Sequence, residues 1–194
     1  MKQNDTPWQT LSSKIVYQNP WMKVYEDKVR MPNGANGIYG FVEGKPGVFV
    51  IALTEDDKIH LIESYRYPIK KWQWELPTGG IDDGASPMEA AKQELTEELG
   101  LIAEKWTHIN TYTPTHNGLM KDTQYVFVAE KLHVGKAHSE DFEAIRAAKT
   151  VTLDELIAMI KDQSFVDGQS LAALMQFIVW RGQTHAALTN PSPR

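Results

Sequence analysis

Gly79-Gly80-Ile81-Asp82-Asp83-Gly84-Ala85-Ser86-Pro87-Met88-Glu89, continued by Ala90-Ala91-Lys92-Gln93-Glu94-Leu95-Thr96-Glu97-Glu98-Leu99-Gly100-Leu101, is the stretch whose reading decides the fold. It ends a loop and opens a helix. Ser86 is placed to cap, Pro87 suits the first helical position and Glu89 completes a capping box, so a helix is predicted over Pro87 to Leu99. Gly100 supplies a left-handed stop. Met88, Ala91, Leu95 and Leu99 recur at spacings of three and four and predict one apolar stripe against a core. Glu94, Glu97 and Glu98 form the adjacent stripe, where like charges within one turn repel by roughly 0.2–0.5 kcal/mol per pair. A solvated acidic face is the plain alternative, since charge runs usually face water. A hard divalent cation would relieve the crowding, because magnesium takes oxygen ligands and uses a few carboxylates together with substrate phosphate oxygens.

Upstream, Lys14 to Tyr17 and Met22 to Tyr25 read as short strands split by Asn19-Pro20, with a turn at Met31-Pro32-Asn33-Gly34. They predict a small antiparallel unit over residues 1–46. From Gly47 the pattern changes to the continuous apolar run Val48 to Leu53, as in a strand covered on both faces. The main domain is therefore read as 47–188, with further strands at Ile59 to Tyr65 and Gln124 to Ala129. Two more helices are expected, at Leu153 to Asp162 behind Thr152 and at Leu171 to Arg181. Residues 189–194 read as a loose tail.

With 20 Lys and Arg against 25 Asp and Glu, the net charge of −5 gives no general attraction to nucleic acid or to an anionic membrane surface. Cysteine is absent, which excludes disulfides, thiolate metal sites and a Cys nucleophile. The opening MKQNDTPW lacks the apolar core of a signal peptide, and Leu171 to Trp180 is too short to span a bilayer. A cytoplasmic location is the default expectation.

Gly79 to Leu101 resembles the Nudix box, matching it at Gly79, Glu94, Leu95, Glu97, Glu98, Gly100 and Leu101. It departs at Ala85, where the family has Glu, and at Gln93, where it has Arg. In the family those two residues are a structural ion pair; losing both together leaves no single charge stranded. The resemblance implies an α/β/α sandwich with a mixed central sheet, preceded by the N-terminal antiparallel unit. It is sharpest to the ADP-ribose and nucleoside diphosphate sugar pyrophosphatase branch, through Tyr65-Arg66-Tyr67-Pro68 and Trp74-Glu75-Leu76-Pro77-Thr78-Gly79.

By that resemblance the chain hydrolyses the pyrophosphate bond of a nucleoside diphosphate-linked small molecule, giving a nucleoside monophosphate and a sugar phosphate. Magnesium, with manganese as an alternative, would be held by Glu94, Glu97, Glu98 and the carbonyl of Thr78. Arg66 would reach the diphosphate with its cationic fork, and Glu75 is assigned to the substrate site with it. Trp21 and Tyr39 stand where relatives carry two aromatics that sandwich the base, the rings coming from both subunits of a homodimer. For the base that deprotonates water, the loop Ala137 to Glu143 offers Glu143 first and Glu140 second, with Glu97 as the fallback. His116 and His138 receive no role. Pro114 falls nearer the box than the proline typical of ADP-ribose-specific relatives, which leaves the sugar open. Two other readings stand beside this one: a catalytically weak module that binds such a nucleotide as a sensor, and a plain interaction domain.

Overall fold

The computed structural model describes residues 6–135 and 144–189, with side chains to residue 183. The chain divides into two compact units, Met1–Pro46 with Thr113–Thr123, and Gly47–Tyr112 with Gln124–Arg194. The expected tail lies almost wholly outside the described residues.

In the first unit, β1 (Gln9–Gln18), β2 (Met22–Arg30) and β3 (Asn36–Gly44) form an antiparallel ribbon. Pairing of β2 with β3 runs unbroken from Met22↔Gly44 to Arg30↔Asn36. The reversal at Met31–Ala35 works because Gly34 takes φ 84° and the Asn33 side chain accepts the Ala35 N–H at 3.0 Å. Tyr25 and Phe41, directly opposite, stack with ring centroids 4.9 Å apart. A fourth strand comes from the later Thr113–Thr123 excursion and runs parallel to β3 at Val42↔Met120 and Glu43↔Lys121.

In the second unit β4 (Gly47–Ala52) is buried along its whole length. Its alternate residues serve two cores, Val48, Val50 and Ala52 facing one and Phe49 and Ile51 facing the other, as a strand covered on both faces must. After β5 (Ile59–Arg66) and β6 (Lys71–Glu75), the short β7 (Thr78–Gly80) returns beside β4. Then come α1 (Pro87–Leu99) and the long β8 (Leu101–Tyr112). With β9 (Met120–Lys121) counted in the first unit, β10 (Gln124–Val134) runs parallel to β4 and antiparallel to β8, giving the order β7-β4-β10-β8. A second sheet, β11-β5-β6, uses β11 (Ile145–Val151). The mixed sheet is thus sandwiched: α1 packs Ala90, Ala91 and Leu95 on one face, and α2 (Leu153–Lys161) and α3 (Gly168–Thr189) pack Leu156, Leu174 and Phe177 in the core on the other. Each fully buried Leu, Ile or Phe contributes about 1.5–3 kcal/mol.

The predicted helices are present at Pro87–Leu99 and Leu153–Lys161, while α3 starts earlier than the expected Leu171. The reason is Asp167, whose carboxylate accepts the Ser170 N–H at 2.7 Å and whose carbonyl accepts the Leu171 N–H at 2.9 Å, as a helix cap does. Among the described residues no helix is long and apolar enough to cross a membrane.

Candidate functional site

The site grows from the start of α1. Ser86 accepts the Glu89 N–H, Glu89 accepts the Ser86 N–H at 2.8 Å, and Pro87 opens the helix. Two orphan donors are satisfied at once, so the first turn is held in place. Gly100, at φ 65°, closes the other end and returns its N–H to Leu95 and Thr96. Within this rigid helix the carboxylates occupy fixed angular positions.

Thr78 brings the facing loop to them. Its hydroxyl donates to the Val48 carbonyl at 2.8 Å and its N–H donates to Glu98 Oε2 at 2.9 Å. The Val50 N–H also ties to the Pro77 carbonyl at 2.9 Å. Glu94, though ionisable, is only 8% exposed and its carboxylate lies against Gly79, where a side chain would collide with it. Glycine there leaves room for that close approach.

Glu97 is turned elsewhere: its Oε1 accepts from Gln93 Nε2 at 3.0 Å on the open side of the helix. Two of the expected metal carboxylates therefore converge on Thr78–Gly79 and the third does not. Among the described residues no three His, Asp, Glu or Cys side chains gather at ligand spacing. The donor set still fits a hard divalent cation in kind, with glutamate oxygens beside backbone oxygen and no soft ligand. Glu97 follows Glu94 by three positions, so its backbone is one turn away although its side chain is drawn to Gln93.

Glu98 and Thr78 open onto a cleft of about 360 Å³ whose other walls include Tyr65, Arg66, Tyr67 and Ala144. Arg66 grips Glu75 side-on, Nε to Oε2 at 3.0 Å and one terminal nitrogen to Oε1 at 2.6 Å. The Arg66 side chain is 44% exposed while that of Glu75 is 1% exposed. Burial pushes the Glu75 carboxyl above its ordinary pKa, and the Arg66 cation works against that shift. The Tyr65 N–H donates to the Ala144 carbonyl at 2.9 Å, fixing one cleft wall. Glu140, Glu143 and His138 lie outside the described residues.

In the first unit Trp21 is 71% exposed and Tyr39 is exposed as well. Tyr39 makes an edge contact with Trp8 at 5.4 Å and donates its hydroxyl to the Gly118 carbonyl at 3.1 Å. Since Trp21 precedes the Met22↔Gly44 pair and Tyr39 faces Asp27, the two stand about six positions apart, roughly 20 Å along the ribbon. One chain's pair does not enclose one base.

Sequence reading missed three contributors: Gln73, whose amide lies between Glu75 (3.4 Å) and Asp167 (3.3 Å); Ser170, whose hydroxyl accepts the Leu76 N–H at 3.0 Å; and Asp167 itself. The pattern Asp167-Gly168-Gln169-Ser170 was the available signal, an Asp at a cap position just ahead of a helix.

Two family models match the chain. One, for the nucleoside diphosphate sugar hydrolase N-terminal domain, covers residues 8–42, and the other, for the NUDIX domain, covers residues 44–174. The ADP-ribose pyrophosphatase of Bacillus subtilis (strain 168) is 27% identical over 166 residues, spanning 85% of this chain and 89% of its own. The methanol dehydrogenase activator of Bacillus methanolicus is 28% identical with the same coverage. The ADP-ribose pyrophosphatase of Mycobacterium tuberculosis is 29% identical over 164 residues, with 79% of each chain covered. A solved structure described as an ADP compounds hydrolase shares the fold at TM-score 0.78 and 21% identity, covering 91% of this chain and 95% of its own.

Proposed function

The chain belongs to the Nudix family, and from that premise we propose that it is a pyrophosphohydrolase of nucleoside diphosphate derivatives, with ADP-ribose or a nucleotide sugar as substrate. The products are a nucleoside monophosphate and a sugar phosphate. One observation carries the reading: Arg66, Thr78 and Glu98 line a single cleft of about 360 Å³, so a fixed cation for phosphate and a carboxylate of the Nudix helix address the same space. The relatives named as ADP-ribose pyrophosphatases match along most of their length, which supports the substrate class.

Pyrophosphate cleavage needs negative charge neutralised, a water aimed at phosphorus and a group to take that water's proton. A divalent cation, proposed as magnesium with manganese as substitute, would be held by Glu94, Glu98 and the Thr78 carbonyl with Glu97 joining, and would supply Lewis-acid neutralisation of the diphosphate. Arg66 binds the diphosphate by N–H donors left over from its grip on Glu75. Glu143 takes the proton of the attacking water. That choice is supported by its place in the sequence next to Ala144, which lines the cleft; Glu140 is the second choice and Glu97 the third. Trp21 and Tyr39 contribute to base binding across a homodimer, a reading supported by the exposure of the Trp21 ring.

A second reading, a weak enzyme that binds its nucleotide as a sensor, is favoured by the Gln93 to Glu97 hydrogen bond, which draws one carboxylate aside. ADP-ribose, GDP-mannose, UDP-glucose, dinucleoside polyphosphates and NADH, each with magnesium and a coupled phosphatase, separate the two. Phosphate release above the uncatalysed rate from at least one compound is expected. Tight binding without turnover on all of them leaves the sensor.

A further inference from the structure

We propose that Glu75 is a positioning residue that holds the Arg66 guanidinium in register for the substrate diphosphate, and that α3 in turn holds Glu75 through Gln73 and Asp167. The inference rests on the reading of the cleft given above and adds to it a device that aims the arginine.

Strand register explains why these groups meet. On β5, Ile62, Ser64 and Arg66 share a face, and their partners across the ladder give Glu75 opposite Ile62 and Gln73 opposite Ser64. Arg66 sits at the end of its strand, paired with Lys71 and followed by a turn in which the Ile69 N–H returns to the Arg66 carbonyl at 3.2 Å. A long flexible side chain at a strand end, 44% exposed, loses considerable rotamer entropy when it binds an anion. The two-point contact with Glu75 removes that freedom in advance. It uses Nε–H and one terminal N–H of the five guanidinium donors, leaving three for phosphate oxygens.

Glu75 is unsuited to touching substrate itself. Its side chain is 1% exposed and both oxygens already accept from Arg66, with Gln73 also reaching Oε2. A carboxylate facing a diphosphate would also repel it, whereas one buried behind an arginine organises the cation. Gln73 spends its amide hydrogens on Glu75 and Asp167, so the arrangement runs from the cleft to the N-terminus of α3. The next residue, Leu76, is fixed there too, by its N–H on the Ser170 hydroxyl. The segment leading to Thr78 is thereby held from the same helix as the arginine clamp.

The test is a double-mutant cycle in the full chain with Glu75→Gln, Arg66→Lys and both, assayed on ADP-ribose with magnesium well below each variant's melting temperature. Glu75→Gln is expected to raise KM about tenfold with kcat changed less than about threefold, and the double variant to match Arg66→Lys alone. A KM within about twofold of the parent, or effects that multiply in the double variant, would overturn the proposal. A second readout needs no turnover: in 15N-arginine-labelled protein the Arg66 Nε–H resonance should be sharp and should move on adding inorganic pyrophosphate, and Glu75→Gln should broaden it. An unchanged resonance in Glu75→Gln would refute the clamp. If the parent enzyme cleaves nothing in the panel, the functional reading fails, and the resonance still decides the positioning role.

Discussion

A methyl group built on Gly79 would fall inside the carboxylate of Glu94, which reaches from α1 to the short strand β7 and is itself nearly buried. The obstacle is the tip of a flexible side chain, so Gly79→Ala is expected to move Glu94 rather than break the fold. A displacement near 1 Å in a catalytic group costs on the order of a hundredfold in rate. Steady-state kinetics and thermal melting on the same variant check this: kcat should fall by about that factor while the melting temperature shifts by only about 2 °C. A variant with parental kcat would show that the placement of Glu94 is irrelevant to turnover.

Glu98 has a fold role as well, since it accepts the Thr78 N–H at 2.9 Å. Glutamine keeps an acceptor oxygen in that place and removes only the charge. Glu98→Gln should therefore melt within about 3 °C of the parent yet lose magnesium-dependent hydrolysis, whereas Glu98→Ala should lose both activity and about 1 kcal/mol of stability. Full turnover in Glu98→Gln would sink the metal assignment.

Ala85 and Gln93 stand where relatives place an ion pair, and here Gln93 instead donates to Glu97 at 3.0 Å. The capping box of Ser86 and Glu89 braces the loop in its stead. Restoring the pair, Ala85→Glu with Gln93→Arg, should leave the kind of reaction unchanged and release Glu97 from Gln93. An exposed pair adds at most about 1 kcal/mol, so the measurement of interest is the magnesium concentration for half-maximal rate, which should drop. A changed substrate preference would mean that these two positions select the ligand.

Proton linkage at Glu75 has a definite sign. Burial raises its folded-state pKa, with Arg66 opposing, so between the ordinary and the raised value the folded chain binds more protons than the unfolded one. Stability contributed by this group is then fully present below the ordinary carboxylate value, near 4.3, and is lost as pH rises through the raised value. Glu63 runs the other way: the two-point bond from Arg146 holds its carboxyl below the ordinary value, and its contribution disappears as pH falls through that depressed value. In paired melts the stability of Glu75→Gln relative to the parent should fall as pH is lowered from 7 toward 4. A constant difference across that window would mean the carboxyl does not titrate there.

How much of this was legible in the sequence differs from element to element. Helix α1 declared both its ends, because Ser86, Pro87, Glu89 and Gly100 are local signals whose satisfaction depends on no distant contact. The buried strand β4 declared itself by an unbroken apolar run. The half-buried β8 did not, since Leu101 to Tyr112 mixes Glu104, Lys105, His108 and Asn110 among its apolar residues and is defined by pairing with β10. In the site, the family pattern named Arg66 and the three glutamates. That Glu94 would be buried against Gly79 while Glu97 turned to Gln93 follows from the fold of the facing loop, which a helical pattern does not encode. The link from Glu75 to Asp167 runs through Gln73, which lies 94 residues from Asp167, and nothing local announces it.

Trp21 offers the last test. The Asn19 side chain accepts both the Trp21 and Met22 N–H groups at 2.9 Å, so the backbone beneath this exposed ring is firmly set. Trp21→Ala should accordingly change stability by about 0.5 kcal/mol or less while raising KM for ADP-ribose, because base stacking on an aromatic is worth about 1–3 kcal/mol. Tyr39→Ala should raise KM as well and cost some stability through its lost contacts with Trp8 and Gly118. If each base is held between Trp21 of one subunit and Tyr39 of the other, an equal mixture of refolded variants forms heterodimers with one intact and one doubly damaged site, and about a quarter of all sites should regain parental KM. Were both rings to serve the same subunit's site, or neither to serve any, mixing would restore nothing.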